Sequence, residues 1–255
     1  MGASLLLARK DFLILFRSPL AYVVMFCFLI ISGYFFVSSV GYYQLWSISI
    51  MQSPQAGALS LHDMLIMPFL QNAGVILLFF IPLLTMRGFS EEKRSGAFEL
   101  LMSYPVSETS LALGKLFSLA GLIAATLAFS MIGPAMLFLY ISPEIGPLLI
   151  GYAGLFLMAL GFASLGLFLS SLTENQIVAA SLTFAALLIL WLVNWSKDIA
   201  PKALVPVVDA ISLLTHFEPF SKGVLTAADA AYYVCFIVLF MWLTVLSLEN
   251  QRWRG

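Results

Sequence analysis

Residues 145–173 read IGPLLIGYAGLFLMALGFASLGLFLSSLT. This run is 29 residues long and contains no Asp, Glu, Lys or Arg. A helix rises 1.5 Å per residue, so about 20 apolar residues cross a hydrocarbon core roughly 30 Å thick. The run is therefore long and apolar enough to span a membrane as one helix.

Five further charge-free runs share this property. They have 45, 23, 28, 22 and 19 residues and cover 18–62, 64–86, 116–143, 175–196 and 230–248. Of the 255 residues, 62% are hydrophobic and 10% charged, with a mean hydropathy of +1.02, whereas a soluble domain carries about 25% charged residues. The composition excludes a soluble enzyme, a nucleic-acid-binding domain and a disordered scaffold. We predict an all-α polytopic membrane protein with a single transmembrane domain over 1–255.

The pattern predicts six transmembrane helices and their orientation. The spans are expected over 19–41, 66–86, 110–140, 146–172, 175–195 and 230–249. With the N-terminus inside, the inner segments hold nine Lys and Arg residues and the outer segments three. The positive-inside rule then places both termini in the cytoplasm. Segment 196–229 is extracytoplasmic, and the spacing of Val205, Val208 and Ile211 predicts a short amphipathic helix within it.

The first 18 residues are predicted to form an interfacial helix. Phe12 and Phe16 share one helical face, and Lys10 and Arg17 lie opposite, which is typical of a helix on the cytoplasmic membrane surface. A plain extension of the first span is the alternative. The first apolar run is longer than a signal-peptide core of 7–15 residues and no small-residue cleavage site follows it, so we expect this helix to be retained.

Small residues recur at four-residue spacing in the fourth span. Ala159 pairs with Ala163, and Gly166 pairs with Ser170. Such pairs let helix backbones approach closely. We expect them to serve packing inside the bundle, with a dimer seam as the alternative.

The segment between the second and third spans, 87–109, differs from the rest of the chain. It carries seven charged residues in 23 positions. Its first part is expected to continue the second span as a charged helix, and Gly96 permits a break. Ser107 is placed to cap the helix of the third span.

After that break, apolar side chains return at helical spacing. Phe98, Leu101 and Met102 lie at i, i+3 and i+4, which predicts one short amphipathic helix that ends before Pro105. An apolar face of this kind requires a groove on a partner. The alternative is a solvated loop whose charges only enforce the topology.

The sequence of residues 90–107, SEEKRSGAFELLMSYPVS, resembles the cytoplasmic coupling segment of type-2 ABC exporter permeases. The usual form is Glu-Glu-Lys-x-x-Gly, then Ser or Thr, a hydrophobic residue, Glu-Leu-Leu and, later, Pro-Val-Ser. Ala97 stands where Ser or Thr is usual. Residues 8–12, ARKDF, also resemble the N-terminus of that family.

One branch of the family resembles this chain more than the other branches do. HFEPFSKG at 216–223, followed by Tyr232-Tyr233 and Leu248-Glu249, is similar to the gliding-motility-associated permeases. Permeases of nitrous-oxide-reductase maturation share these features. The resemblance covers the whole chain.

The resemblance implies a half-transporter in a bacterial inner membrane. Two permeases, either two copies or this chain and a paralogue, would line a path, while two cytosolic ATPase subunits bind ATP and Mg²⁺ and pull the coupling helices. An extracytoplasmic partner is a further expectation, and no nucleic acid is expected. The residues implied to face the ATPase are Glu91, Glu92, Arg94, Gly96, Glu99 and Leu100. The helical spacing adds Phe98, Leu101, Met102 and the terminating Pro105.

The chain itself lacks the motif for nucleotide hydrolysis. A P-loop reads GxxxxGK[ST], whereas here Gly114-Lys115 is preceded by Thr109 at the first glycine position and followed by Leu116. We therefore expect a protein that is not an enzyme, with no catalytic, cofactor-binding or metal-binding residues of its own. A separate ATPase would supply the energy.

Three other functions compete with this hypothesis. An ion-coupled secondary transporter normally carries ionisable residues inside its spans, and the six runs contain none. An intramembrane hydrolase built on Glu91 and Glu92 would need His ligands nearby, but His62 and His216 fall on the opposite side in the predicted topology. A membrane anchor or assembly factor without transport would use the same coupling segment.

Overall fold

The structure is a computed structural model that describes residues 10–14, 16–52, 61–99, 107–137, 145–194 and 205–252. Within these ranges the chain is helical and has no β-strand. The helices are α1 Pro19–Gln52, α2 Met67–Thr85, α3 Ser90–Arg94, α4 Glu108–Ser130, α5 Ile132–Met136, α6 Ile145–Leu172, α7 Gln176–Leu192, α8 Val205–Ile211, α9 Leu213–Ser221 and α10 Ala227–Arg252. A π-helical turn, His62–Ile66, leads into α2.

Among the described residues, five helical stretches are long and apolar enough to cross a membrane. They are Pro19–Ile48, His62–Arg94, Glu108–Met136, Ile145–Leu172 and Ala227–Arg252. The apolar helix α7 has 17 residues and is about 26 Å long at 1.5 Å per residue. The all-α class and several spanning-type helices are confirmed, while the sixth span and the orientation of the termini stay predictions.

Helix α6 is the centre of the bundle and packs against α2, α4, α7, α9 and α10. Leu155, Met158 and Phe162 have no exposed surface. A Cβ added at Gly166 would lie 2.7 Å from the Cβ of Thr85 in α2, so the two backbones approach more closely than any side chain would allow. The small residues of α6 therefore serve packing inside the chain, as predicted.

Two predicted boundaries differ from the structure. α1 continues to Gln52 instead of ending at 41, because the sequence has no proline after Pro19 until Pro54. The third span is interrupted at Met131, between α4 and α5. Pro134 has no N–H to donate to the carbonyl of Ser130, and this loss breaks the regular helical ladder.

The N-terminal segment, of which residues 10–14 and 16–17 are described, is helical. Ser18 is not helical, and α1 begins at Pro19, because proline disfavours the helical conformation in the residue before it. This break favours a separate helix over an extension of the first span. A Cβ added at Gly121 would lie 2.6 Å from Cε2 of Phe12, so the segment also packs on α4. Residues 1–9 lie outside the described ranges.

The predicted outer helix is present as α8, and α9 follows it directly. Ser212 caps α9, since its Oγ accepts a hydrogen bond from the Thr215 amide at 3.3 Å. Phe217 and Phe220 are fully buried where α9 packs against α6. The pattern of the sequence did not predict this second helix.

Ring contacts and hydrogen bonds fasten this end of the helical bundle. His62 Nε2 lies 2.8 Å from the Ser221 carbonyl oxygen, which joins the start of α2 to the end of α9. His216 Nδ1 lies 2.7 Å from Asp229 Oδ1, and its ring stacks on Tyr232 with centroids 3.8 Å apart. Both histidines therefore hold loop and helix ends together.

Candidate functional site: the hairpin between α2 and α4

The hairpin segment, defined here as residues 86–99, lies at the opposite end of α6 from α9. Within it, α3 ends at a left-handed glycine: Gly96 has φ +73°, and its amide donates to the Lys93 carbonyl at 3.1 Å. A residue with a side chain rarely adopts this conformation. The predicted break at Gly96 is confirmed, and residues 97–99 begin a second helical turn.

A serine of α6 clamps the turn that precedes α3. Ser170 Oγ accepts hydrogen bonds from the amides of Phe89, at 3.0 Å, and Ser90, at 3.2 Å. The same hydroxyl donates to the Met86 carbonyl at 3.3 Å. Phe89, Ser90 and Ser170 are all fully buried. The backbone of the hairpin is thereby attached to the C-terminal end of α6.

The next residue of α6 joins the hairpin to α10. The carbonyl oxygen of Ser171 accepts a hydrogen bond from Lys93 Nζ. It also accepts from Gln251 Nε2 at 2.9 Å and from Ser247 Oγ at 3.4 Å. One backbone oxygen therefore connects α3, α6 and α10.

A buried lysine joins the hairpin to α4 and to the N-terminal segment. Lys115 is 7% exposed, and its Nζ lies 2.7 Å from Glu92 Oε1 and 3.8 Å from Asp11 Oδ2. The same Nζ stands 5.1 Å from the centre of the Phe89 ring. Two carboxylates and an aromatic face compensate the desolvated charge.

The predicted site residues separate into two groups. Glu91, Arg94, Gly96 and Glu99 are exposed and are available to a partner. Glu92 turns inward to Lys115, and Phe98, predicted to enter a partner's groove, is 9% exposed and packs in the core of this chain. Burial of Phe98 corrects its expected role, because a ring already covered by its own chain cannot fill a groove elsewhere. The other predicted members, Leu100, Leu101, Met102 and Pro105, lie outside the described residues.

Sequence reasoning missed the residues that anchor the hairpin. Lys115 entered only as a positive charge in the topology count and as part of the P-loop comparison, and Ser170 only as a small residue. Lys115 directly precedes the charge-free run 116–143 and falls inside the predicted third span. This position was a usable signal, since a charge inside a span needs a partner. Nothing in the local sequence indicated which carboxylates would supply it.

The predicted cap of α4 is confirmed, because Ser107 Oγ accepts from the Ser110 amide at 3.3 Å. The buried Ser164 donates its hydroxyl to the Gly161 carbonyl of its own helix at 2.8 Å. Among the residues that the structure describes, no group of three or more His, Cys, Asp or Glu side chains is arranged to hold a metal ion.

No family model matches this chain, and no curated protein matches it. The geometry of the hairpin and the motif in residues 90–107 are therefore the observations that bear on function.

Replacing Ser170 with alanine is expected to loosen the hairpin. The change leaves two buried amides without an acceptor, at a cost of about 1–3 kcal/mol for each unsatisfied group. Hydrogen exchange at residues 86–95 should accelerate while exchange in the middle of α6 stays slow. Ser171→Ala is the matched control, because the Ser171 hydroxyl only donates within its own helix, to Phe168. Equal exchange in both variants would contradict the clamp.

Proposed function

We propose that this chain is the transmembrane permease subunit of a type-2 ABC exporter in a bacterial inner membrane. In this proposal both termini lie in the cytoplasm, and a separate ATPase subunit drives substrate export or mechanical signalling. One observation carries the proposal: an exposed charged face sits on a hairpin whose backbone is bonded to Ser170 of α6. The Lys93 side chain of this hairpin shares the Ser171 carbonyl with α10, and its Glu92 pairs with Lys115 of α4. The motif resemblance in residues 90–107 adds to it.

The attachment of the hairpin favours a lever over a solvated loop. A force on α3 reaches α6 through Ser170, α10 through the Ser171 carbonyl, and α4 through Lys115. A loop that only enforced topology would need none of these buried contacts. Interiors are closely packed and transmit strain, so movement of the hairpin would move three helices together.

The exposed charges suit recognition of a folded partner. Glu91, Arg94 and Glu99 present both signs of charge within three helical turns. Charges at the rim of an interface mainly set specificity and association rate. In the proposal the ATPase supplies complementary charges, and ATP and Mg²⁺ bind only to the ATPase.

A second permease copy or a paralogue would complete the transporter. The long helices α1 and α10 have wide exposed apolar faces, with Tyr34 69% and Val238 61% exposed. These faces suit acyl chains or a second permease equally. Chemical cross-linking between copies in native membranes would show which face is shared.

The rival functions make different demands on the described spans. Buried hydroxyls at Thr126, Thr183 and Thr244 bond to carbonyls of their own helices, as expected of packing residues rather than an ion path. A membrane anchor or assembly factor would share the anchored hairpin. Substrate-stimulated ATPase activity of the reconstituted complex separates an exporter from such an anchor.

The test of the proposal is co-purification. The chain, extracted from native membranes in mild detergent, is expected to bring a P-loop ATPase with it. Absence of any nucleotide-binding protein, both with and without a non-hydrolysable ATP analogue, would refute the proposal.

Reversing one exposed charge should release the ATPase without unfolding the permease. Glu99→Lys is expected to lower the recovered ATPase severalfold, because it places a positive charge opposite the positive charge that the ATPase would supply to Glu99. Glu249→Lys is the matched control, since Glu249 is also exposed and lies on α10 outside the hairpin. Phe98→Asp would instead destabilise the permease itself, because it buries a charge. Equal ATPase recovery from the Glu99 and Glu249 variants would contradict the assignment.

A further inference from the structure

A cavity of about 770 Å³ lies beside the hairpin. It opens between the N-terminal segment, the start of α1, the end of α2, α3 and α4. Its charged lining comprises Lys10, Arg17, Arg87 and Lys115 together with Asp11, Glu91 and Glu92. From this lining we infer that the cavity binds the head group of a phospholipid that carries both a phosphate and a primary ammonium group.

The level of the cavity is that of lipid head groups. Its apolar wall includes Leu20 at the start of α1, Leu84 at the end of α2 and Leu119 in α4, one helical turn after Lys115. Its charged wall comes from the N-terminal segment, the hairpin segment and Lys115. A site with one apolar and one charged side, at the boundary of the apolar helices, suits an amphiphile. Ligand pockets usually enclose about 300–1,000 Å³, and this volume accommodates a head group with the first part of its acyl chains.

Two buried polar atoms in the lining have no hydrogen-bond partner among the described residues. They are Arg87 Nε, a donor, and Glu92 Oε2, an acceptor. Arg87 Nε lies 3.8 Å from Glu91 Oε2, which is too long for a hydrogen bond. The other carboxylate oxygen of Glu92 is occupied by Lys115. Buried polar groups are nearly always satisfied, so this pair indicates a ligand that offers one acceptor and one donor.

A phosphoethanolamine head group offers both. A phosphate oxygen would accept from Arg87 Nε, and the ammonium would donate to Glu92 Oε2. Lys10 and Arg17 are exposed, and neither forms an ion pair within the described part of the chain, so they can attract the phosphate from the rim. A choline head group has no N–H to donate, and a glycerol head group has no cation for the carboxylate.

This inference does not depend on the proposed transport function. It needs only the apolar helices to lie in a bilayer and the cavity to lie at their ends. A transporter, an anchor and an assembly factor could each hold such a lipid. Failure of ATPase co-purification would therefore not contradict the lipid site. Failure of the lipid experiment would likewise not contradict the proposed transport function.

The test is competition between lipids for the purified full-length chain. The protein is equilibrated with an equimolar mixture of synthetic phosphatidylethanolamine, phosphatidylcholine and phosphatidylglycerol with identical acyl chains. Retained lipid is then measured by native mass spectrometry. We expect phosphatidylethanolamine to exceed phosphatidylcholine about tenfold, the factor that corresponds to 1.4 kcal/mol.

Substitutions test whether Arg87 Nε and Glu92 Oε2 determine the preference for phosphatidylethanolamine. Arg87→Lys keeps the charge but removes the Nε donor, and should lower retention of phosphatidylethanolamine severalfold. Arg94→Lys is the matched control, since it makes the same change on the exposed side of the hairpin outside the cavity. Glu92→Gln should bring the two lipids to equal retention. An unchanged melting temperature on Arg87→Lys shows that its loss of lipid is not a loss of fold.

Several results would overturn the inference. These are equal retention of the ethanolamine and choline lipids by the unmodified chain, an excess of phosphatidylglycerol over both, or equal losses in the Arg87 and Arg94 variants. Glycerophosphoethanolamine, which lacks acyl chains, tests the source of the head group. If this soluble ester displaces the lipid at equal concentration, the lipid source is refuted.

Discussion

Replacement of Lys115 by methionine is expected to lower the free energy of unfolding by about 3–5 kcal/mol, the cost of removing one partner from a buried ion pair. The substitution leaves the Glu92 carboxylate, which is largely buried, without its cation and with Asp11 nearby. A like-charged pair of carboxylates then faces an apolar surrounding. Thermal unfolding in detergent, followed by intrinsic fluorescence, measures the effect.

An exposed ion pair in α9 provides a matched control for this prediction. Lys222 Nζ lies 2.6 Å from Glu218 Oε1, and both side chains are 48% exposed, whereas the side chains of Lys115 and Glu92 are 8% and 19% exposed. Exposed pairs contribute about 0–1 kcal/mol, so Lys222→Met should change the unfolding temperature little. Adding Glu92→Gln to Lys115→Met should recover part of the loss. Equal effects of the two lysine substitutions would show that burial does not govern the pair.

Alanine at Gly166 is expected to lower the free energy of unfolding by about 1–3 kcal/mol, the usual cost of overpacking. The added Cβ would stand 2.7 Å from the Cβ of Thr85. Rotation of the Thr85 side chain cannot relieve this contact, because the backbone sets the position of the Thr85 Cβ. The Thr85 Oγ1 is in addition bonded to the Ile81 carbonyl at 3.0 Å. α2 and α6 must therefore move apart. The unfolding temperature and the yield of monodisperse protein both report this.

Gly161→Ala in the same helix is the control for that steric effect. A Cβ there would meet Phe236 at 3.4 Å, an ordinary contact, and alanine favours a helix over glycine by about 1 kcal/mol. This variant should be neutral or more stable. Thr85→Ala added to Gly166→Ala should recover only part of the stability, since the Cβ of residue 85 remains. A stable Gly166→Ala protein would mean that the helices are less closely apposed than described.

Much of the helical layout was predictable because the membrane imposes a simple rule. Every backbone polar group must be satisfied within its own helix, and apolar length then marks the span. The run at 145–173 coincides with α6, and each predicted span overlaps a described helix. The predicted helix boundaries were wrong where the position of a proline decided them. Pro134 interrupts the helix at Met131, and α1 continues to Gln52 because no proline follows Pro19 before Pro54.

The candidate site was predictable only in part, for a different reason. The break at Gly96 and the cap at Ser107 follow from local backbone chemistry and are confirmed. The direction of Phe98 was not predictable, because helical spacing shows that apolar residues share a face but not whether that face meets the same chain or a partner. The helix α9 was missed for a related reason: Phe217 and Phe220 became buried only through contact with α6.

The amino-acid sequence by itself determined that this protein is helical, apolar enough for a bilayer and interrupted by one charged hairpin, because composition and spacing act within each helix. Only the tertiary structure decided that Lys115 pairs with Glu92 and Asp11, that Ser170 holds the hairpin, and that a charged cavity lies beside it. Those contacts join residues far apart in the chain. Their energies depend on desolvation and distance, which the folded bundle alone sets.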